Sequence, residues 1–303
     1  MTLFAAEQIS CRTTAAPPTP LLQDVSLDVE PGEVVGLIGE SGSGKTMAAL
    51  AILDLLPDGV TATGGRIRLG EVQRPVTQTD RTGLAAIFQN PREALNPTMR
   101  VGRQVTRVLR SHGVDGRAGA NQQAVVLLRR CGVPGAADVM RMYPHQLSGG
   151  MCQRVMIAMA IAARPELLIA DEPTTALDMT IQAQIIGLLR EVIAETGCGV
   201  LLITHDLGVI AELADRVVVL LGGRVMERGD VSALFKKPLH PYTQFLMDPT
   251  GFAGSGEAHP SSQTACPFIA RCPHAKERCN PAPALTSVEP GRQVACVLYE
   301  DQP

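Results

Sequence analysis

Several groups of residues in this chain have the types and spacing to do chemistry. Gly39-Glu40-Ser41-Gly42-Ser43-Gly44-Lys45-Thr46 fits G-x-x-x-x-G-K-[ST] in full, between the apolar run Val34–Ile38 and a helical pattern from Met47. Glycines there let the backbone curl until several amide N–H groups face one oxyanion, and the new helix adds its positive end. Lys45 supplies charge for β- and γ-phosphates, and the Thr46 hydroxyl is a ligand for Mg²⁺. The fixed positions would match by chance in roughly one chain per hundred of this length. Lys45 is also one of only four lysines among 27 basic residues. These residues point to nucleotide binding.

Leu167–Ala170 is a second apolar run, and it ends in Asp171-Glu172-Pro173. Successive strand residues diverge, so one carboxylate can serve a metal while the other polarises a water, as Mg-nucleotide hydrolysis needs. Taken alone, most Asp-Glu pairs are solvated strand ends; beside an intact phosphate loop, the catalytic reading is preferred. Val200–Thr204 ends likewise in His205, whose imidazole can donate to phosphate or orient the water. Ser148-Gly149-Gly150 opens another helix and makes a second anion-binding nest. One nucleotide does not need two such nests, whereas two chains that exchange them do.

Eight cysteines are unevenly spread, with four in the last 38 residues as Cys266-x5-Cys272-x6-Cys279-x16-Cys296. Four thiolates suit a four-iron cluster or a structural zinc. Zinc sites favour shorter Cys-Cys spacings, which are missing here. Cys11, Cys131, Cys152 and Cys198 are scattered and read as packing residues.

The elements that must position these groups follow from pattern. The continuously apolar runs Val34–Ile38, Leu167–Ala170 and Val200–Thr204 read as strands buried on both faces. Val25–Val29 and Arg66–Leu69 are further strand candidates. Met47–Leu56, ended by Pro57, and Thr180–Glu195 read as helices. From about Pro91 to Ala163 the pattern is helical, best over Val101–Leu109 and Gln122–Arg130. Val217–Leu221, Gly222-Gly223 and Arg224–Glu227 form a hairpin with a glycine turn. Strands alternating with helices predict an α/β core with a helical insertion. After Met247 the composition shifts to Gly, Ser, Pro and Cys, marking a linker and small tail.

At 303 residues, 45% hydrophobic and 19% charged, the chain has material for about two domains, which excludes a disordered or fibrous protein. Net charge of −3 and 3% aromatic residues argue against nucleic-acid binding and stacking platforms. No signal peptide or membrane-length apolar run is visible, so the expectation is a soluble, cytosolic chain.

With Phe88-Gln89-Asn90-Pro91, Leu147-Ser148-Gly149-Gly150-Met151-Cys152-Gln153, Ala176-Leu177-Asp178 and His205 in order after the phosphate loop, the chain resembles the ATP-binding subunit of an ABC transporter over roughly residues 20–235. The resemblance implies an ABC ATPase cassette: a RecA-like core, an antiparallel β subdomain and a helical subdomain over about 91–163. It implies a nucleotide-binding domain over 1–247, with a linker and Cys-rich domain over 248–303. It further implies that Gly39–Thr46 hold ATP, and that Thr46, Gln89 and Asp171 serve Mg²⁺. Glu172 is then the general base and His205 the γ-phosphate partner. Ser148–Gly150 close over the other subunit's ATP, Asp178 communicates between sites, and Gln89 senses the membrane subunits.

Lys237-Pro-Leu-His240-Pro241-Tyr242, Tyr143-Pro-His145-Gln146 and the Cys set resemble the peptide/nickel importer branch, where those cysteines bind a [4Fe-4S] cluster, which orders the readings as cluster, then zinc, then free or oxidised thiols. That implies a peptide importer ATPase at the cytoplasmic face of the inner membrane, working with a second ATPase subunit, two permeases and a substrate-binding protein. Importers of nickel or metal chelates and soluble ABC ATPases acting on nucleic acid or ribosomes are the alternatives. One departure stands out: Arg12–Pro20 lacks the aromatic that usually stacks on adenine, which leaves the preference for ATP over GTP open.

Overall fold

In the computed structural model, which describes residues 2–78, 82–174, 179–248, 250 and 264–300, the chain begins β1 (Phe4–Thr13), β2 (Pro20–Val29), β3 (Val34–Ile38), α1 (Lys45–Ile52), β4 (Val60–Leu69), β5 (Val72–Pro75) and β6 (Leu84–Ile87). There follow α2 (Pro91–Ala94), α3 (Val101–Ser111), α4 (Arg117–Arg130), α5 (Ala136–Val139), α6 (Gly149–Ala162), β7 (Leu167–Asp171), α7 (Met179–Thr196) and β8 (Gly199–Ile203). The rest is α8 (Leu207–Leu213), β9 (Arg216–Leu221), β10 (Arg224–Asp230), α9 (Val231–Lys236), α10 (Pro241–Met247), β11 (Thr286–Glu289) and β12 (Arg292–Val294). Residues group into two compact units.

The first unit takes Val29–Glu33 and Asp80–Ile203. Its sheet is parallel, with β7 between β6 and β8. All residues of β7 and β8 are buried, which is why their sequences are apolar without alternation. The helical stretch opens at Pro91 and closes with α6. Val101, Val105 and Leu109 of α3 and Ala120, Ala124 and Leu128 of α4 are buried at four-residue spacing, forming apolar stripes where the two helices pack.

The second unit takes Thr2–Asp28, Val34–Thr79 and Thr204–Pro303. One sheet is antiparallel in the order β2-β1-β4-β5; the other strands run β11-β12-β10-β9-β3, with β3 and β9 parallel. The strand expected at Arg66–Leu69 is the end of the longer β4. Strand β1 escapes a pattern search because a register shift near Gln8, at φ +53°, breaks its in–out alternation. Helix α1 stops at Ile52, short of Pro57, where Asp54 takes a left-handed φ of +53°. Beyond Met247 the sequence supports more than a tail: β12 pairs with β10, and Leu239, Val294 and Cys296 share an apolar cluster.

Candidate functional site

In the second unit, β3 is buried throughout and delivers the chain into the phosphate loop. Gly39 leaves the strand at φ +154°, where a Cβ would lie 2.7 Å from Ser43 Oγ and collide with the Leu220 carbonyl. Gly44, at φ +109°, is the N-cap of α1. Lys45 Nζ donates to Gly39 O at 2.8 Å, Glu40 O at 2.9 Å and Ser43 Oγ at 3.5 Å. The loop therefore holds a buried ammonium within its own curve, while Ser41, Gly42 and Thr46 are exposed at its rim. That arrangement fits a polyphosphate: a cation inside, backbone amides around it, and a hydroxyl at the edge.

The loop also has a neighbour that sequence reasoning assigned only to a hairpin turn. Gly223 N–H donates to Ser43 O at 2.9 Å, and Gln23 N–H donates to Gly223 O at 2.8 Å. A Cβ on Gly223 would come within 2.8 Å of the Leu21 carbonyl carbon. The glycine pair was legible as a turn, but its close approach to Ser43 and Leu21 depends on tertiary packing. Arg12–Pro20 runs over the surface and contains no aromatic ring. His205 is exposed, followed by Asp206, which caps α8 by accepting the N–H groups of Gly208 and Val209 at 2.8 and 3.2 Å.

The acidic pair lies in the first unit. Asp171 ends β7 and is buried. Glu172 has a left-handed φ of +50°, and its N–H donates to Ile203 O at 2.7 Å. A non-glycine residue in that conformation carries strain of about 1–3 kcal/mol, which surrounding contacts must hold. Gln89 Nε2 donates to Glu172 Oε2 at 2.8 Å, so two residues 83 apart in sequence meet at the ends of β6 and β7. With its amide nitrogen committed, Gln89 has its carbonyl oxygen left as the group that could meet a hard cation. Buried Gln153 of α6 donates to Pro173 O and fastens that helix to the residue after the pair. Sequence reasoning placed Gln153 in the signature without this role.

Ser148 N-caps α6 by accepting Met151 N–H at 3.3 Å, and Ser148 and Gly149 are exposed. Asp178, with Ala176 and Leu177, lies outside the described residues.

The tail cysteines Cys266, Cys272, Cys279 and Cys296 are all free, buried and on one cavity of about 10 Å³, with His240 and His274. Burial pushes the Cys266 and Cys296 thiols up to about 11 and raises Cys272 as well. His240 is pushed down to about 4 by burial. Its Nδ1 accepts Tyr242 N–H at 2.9 Å, and its Nε2 is buried without a hydrogen bond of good geometry. Among the described residues no group of three or more His, Cys, Asp or Glu is arranged to hold a metal ion. The scattered Cys11, Cys131, Cys152 and Cys198 are buried, and desolvation raises all four thiols, with Cys131 at about 12, as packing residues require.

Comparison with known proteins bears directly on this arrangement. The family model described as ABC transporter matches residues 22–175, and that of the oligopeptide/dipeptide transporter C-terminal region matches 226–279. The oligopeptide transport ATP-binding protein AppD of Bacillus subtilis is 41% identical over 94% of this chain and 93% of its own length. For OppD of Salmonella typhimurium the identity is 44%, over 91% of this chain and 87% of the relative. For the dipeptide transport ATP-binding protein DppD of Escherichia coli it is 44%, over 90% and 89%. Among solved structures, the dimeric post-hydrolysis ATP-binding cassette MJ0796 with ADP and Pi aligns at TM-score 0.67 and 26% identity, over 75% of this chain and 98% of that one. The fold is that of an ABC ATPase cassette, and the chain belongs to the ABC transporter family, in the branch that carries the oligopeptide/dipeptide transporter C-terminal region.

Proposed function

We propose that this chain hydrolyses ATP as a subunit of a membrane importer for oligopeptides or dipeptides. The observation that carries this reading is the near full-length match, at 41–44% identity, to ATP-binding proteins named for oligopeptide and dipeptide transport. The intact phosphate loop and the Gln89–Glu172 contact support it chemically. The chain pairs with a second, related ATPase subunit and drives two permease subunits supplied by a substrate-binding protein. Attachment at the cytoplasmic face of the membrane runs through the permeases in this reading; no described helix is long and apolar enough to cross a membrane.

In this reading Gly39–Lys45 hold the phosphates of ATP. Thr46, Gln89 and Asp171 would hold Mg²⁺, which when bound would neutralise phosphate charge. Glu172, oriented by the Gln89 amide, takes the proton of the attacking water. His205 donates to the γ-phosphate, Ser148–Gly150 close over the partner's nucleotide, and Asp178 links the two sites. Residues 1–247 form the nucleotide-binding domain, and 248–303 a linker and Cys-rich region.

Substituting Glu172→Gln removes the base and keeps the shape. ATPase activity of the assembled transporter should fall by about 10²–10⁴-fold, while ATP stays bound and holds the two ATPase subunits together. Hydrolysis at the parent rate would sink the assignment. Peptide uptake by cells carrying the parent chain, lost with the variant, tests the substrate class separately.

The four tail cysteines are proposed as ligands of a [4Fe-4S] cluster. Four buried thiols on one cavity, with buried His240 lining it too, are the donor set that would hold such a group. Anaerobically purified protein should be brown and carry iron, and Cys272→Ser should remove the colour. A colourless preparation that carries zinc would establish the alternative.

A further inference from the structure

Glu40, the second residue of the phosphate loop, is tied at all three of its polar groups. Its N–H donates to Tyr242 Oη at 2.7 Å, and its carbonyl accepts from Lys45 Nζ at 2.9 Å. Its carboxylate accepts a fork from Arg271, Nη1 to Oε1 at 2.9 Å and Nη2 to Oε2 at 2.6 Å. Two of these partners lie some 200 residues further along the chain, and Arg271 sits in the turn between Cys266 and Cys272.

The Arg271 side chain is held before it reaches Glu40. Its guanidinium lies 5.1 Å from the Phe245 ring centre and 5.0 Å from that of Phe268, within cation–π range. Phe268 is fully buried against Tyr242 and Phe245. Backbone bonds fix the turn itself: Ile269 N–H donates to Cys266 O at 3.0 Å, and Arg271 N–H to Phe268 O at 2.9 Å. A second contact runs beside it, because a Cβ on Gly222 would come within 2.9 Å of Pro267, and neighbouring Gly223 bonds Ser43. The Cys266–Cys272 segment thus touches the loop directly at Glu40 and, through the glycine turn, at Ser43.

We infer that Arg271 is a positioning residue for nucleotide binding, through which the Cys-lined C-terminal region holds the phosphate loop and screens Glu40 from Lys45. The Arg271–Glu40 pair is partly exposed, at 46% and 34% of the two side chains, so it adds little to folding stability. Its effect falls on the loop. The Arg271 hydrogen bonds and charge lower the Glu40 pKa, and the Lys45 charge lowers it too, so the carboxylate and the Lys45 ammonium interact. Without Arg271 the carboxylate competes with phosphate for the Lys45 ammonium; with Arg271 it is already neutralised by a planar, bidentate partner.

The test is calorimetric titration of MgADP into the full-length chain, with circular dichroism on each variant. Arg271→Ala should keep the fold and weaken binding by ~10-fold. Made in a Glu40→Gln background and compared with Glu40→Gln alone, Arg271→Ala should weaken binding by less than about threefold, because the competing charge is gone. A merely structural arginine would give the same loss in both backgrounds. Parent-like affinity in Arg271→Ala, or an equal loss in the Glu40→Gln background, would overturn the inference. If Arg271→Ala does not fold, Arg271→Gln carries the test: it should weaken MgADP binding by ~10-fold beside Glu40 and by less than about threefold in a Glu40→Gln background, and equal losses in the two backgrounds overturn it. The inference rests on Gly39–Thr46 being the nucleotide loop. A parent that binds no MgADP removes that reading, whereas a binding parent with unaffected variants removes only the role of Arg271.

Discussion

Gly39 and Gly42 both stand in the phosphate loop with positive φ, but for different reasons. Around Gly42, at φ +78°, nothing lies within 4 Å of a built Cβ, so the demand there is conformational. Gly39 meets Ser43 Oγ and the Leu220 carbonyl, so its lack of a side chain is steric as well. Alanine at 39 must push the loop off β9 or move Ser43, and either shift carries away the carbonyl that accepts from Lys45 Nζ. Gly39→Ala should therefore abolish measurable nucleotide binding and destabilise the fold by about 2–4 kcal/mol. Gly42→Ala should cost roughly 1 kcal/mol, the backbone strain alone. Nucleotide titration and urea unfolding of the two variants check the contrast, and equal effects would contradict it.

At the scale of elements, strands buried on both faces and the principal helices were legible, because continuous apolar runs and four-residue apolar spacing survive in local sequence. Val34–Ile38 matches β3 to the residue, and Val101–Leu109 falls within α3. What escaped was structure whose cause is distant. Strand β1 carries a register shift opposite β4, Gln8 with it, and so shows no clean alternation. Strands β11 and β12 are too short to show a pattern, and β11 is half exposed; β12 exists because β10 offers an edge to pair with, and β11 because β12 does. The same division holds at the candidate site. Each chemical group could be named from its motif, since type and order are local. The Gln89–Glu172 bond, the Gln153–Pro173 tie and the clamp on Glu40 join residues 20 to 231 positions apart. No periodicity records such pairings.

For the molecule as a whole, the question is whether the C-terminal region is an appendage or part of the ATPase fold. Glu227 on β10 is fully buried and accepts from the backbone N–H groups of Leu239 and His240, at 3.1 and 2.8 Å. Its countercharge comes from Arg292 on β12, Nη2 to Oε1 at 2.9 Å, and Arg292 also donates to the Lys237 carbonyl. Beside this pair, Ala295 N–H donates to Met226 O at 2.8 Å and continues the β10–β12 pairing. A carboxylate with no exposed surface cannot be rescued by water when its cation is removed, so the loss exceeds what the bond itself adds. Arg292→Leu should destabilise the chain by about 3–5 kcal/mol. A chain ending at Met247 should also be destabilised, because it loses the β10–β12 pairing and the apolar cluster around Val294 together with Arg292. If the tail were a separate domain, truncation would leave the remaining transition where it was and simply remove a second one. Urea unfolding followed by circular dichroism distinguishes the two cases. One cooperative transition, shifted to lower urea in both variants, is expected; a change below about 1 kcal/mol in Arg292→Leu would show that Glu227 does not depend on the tail for its charge balance.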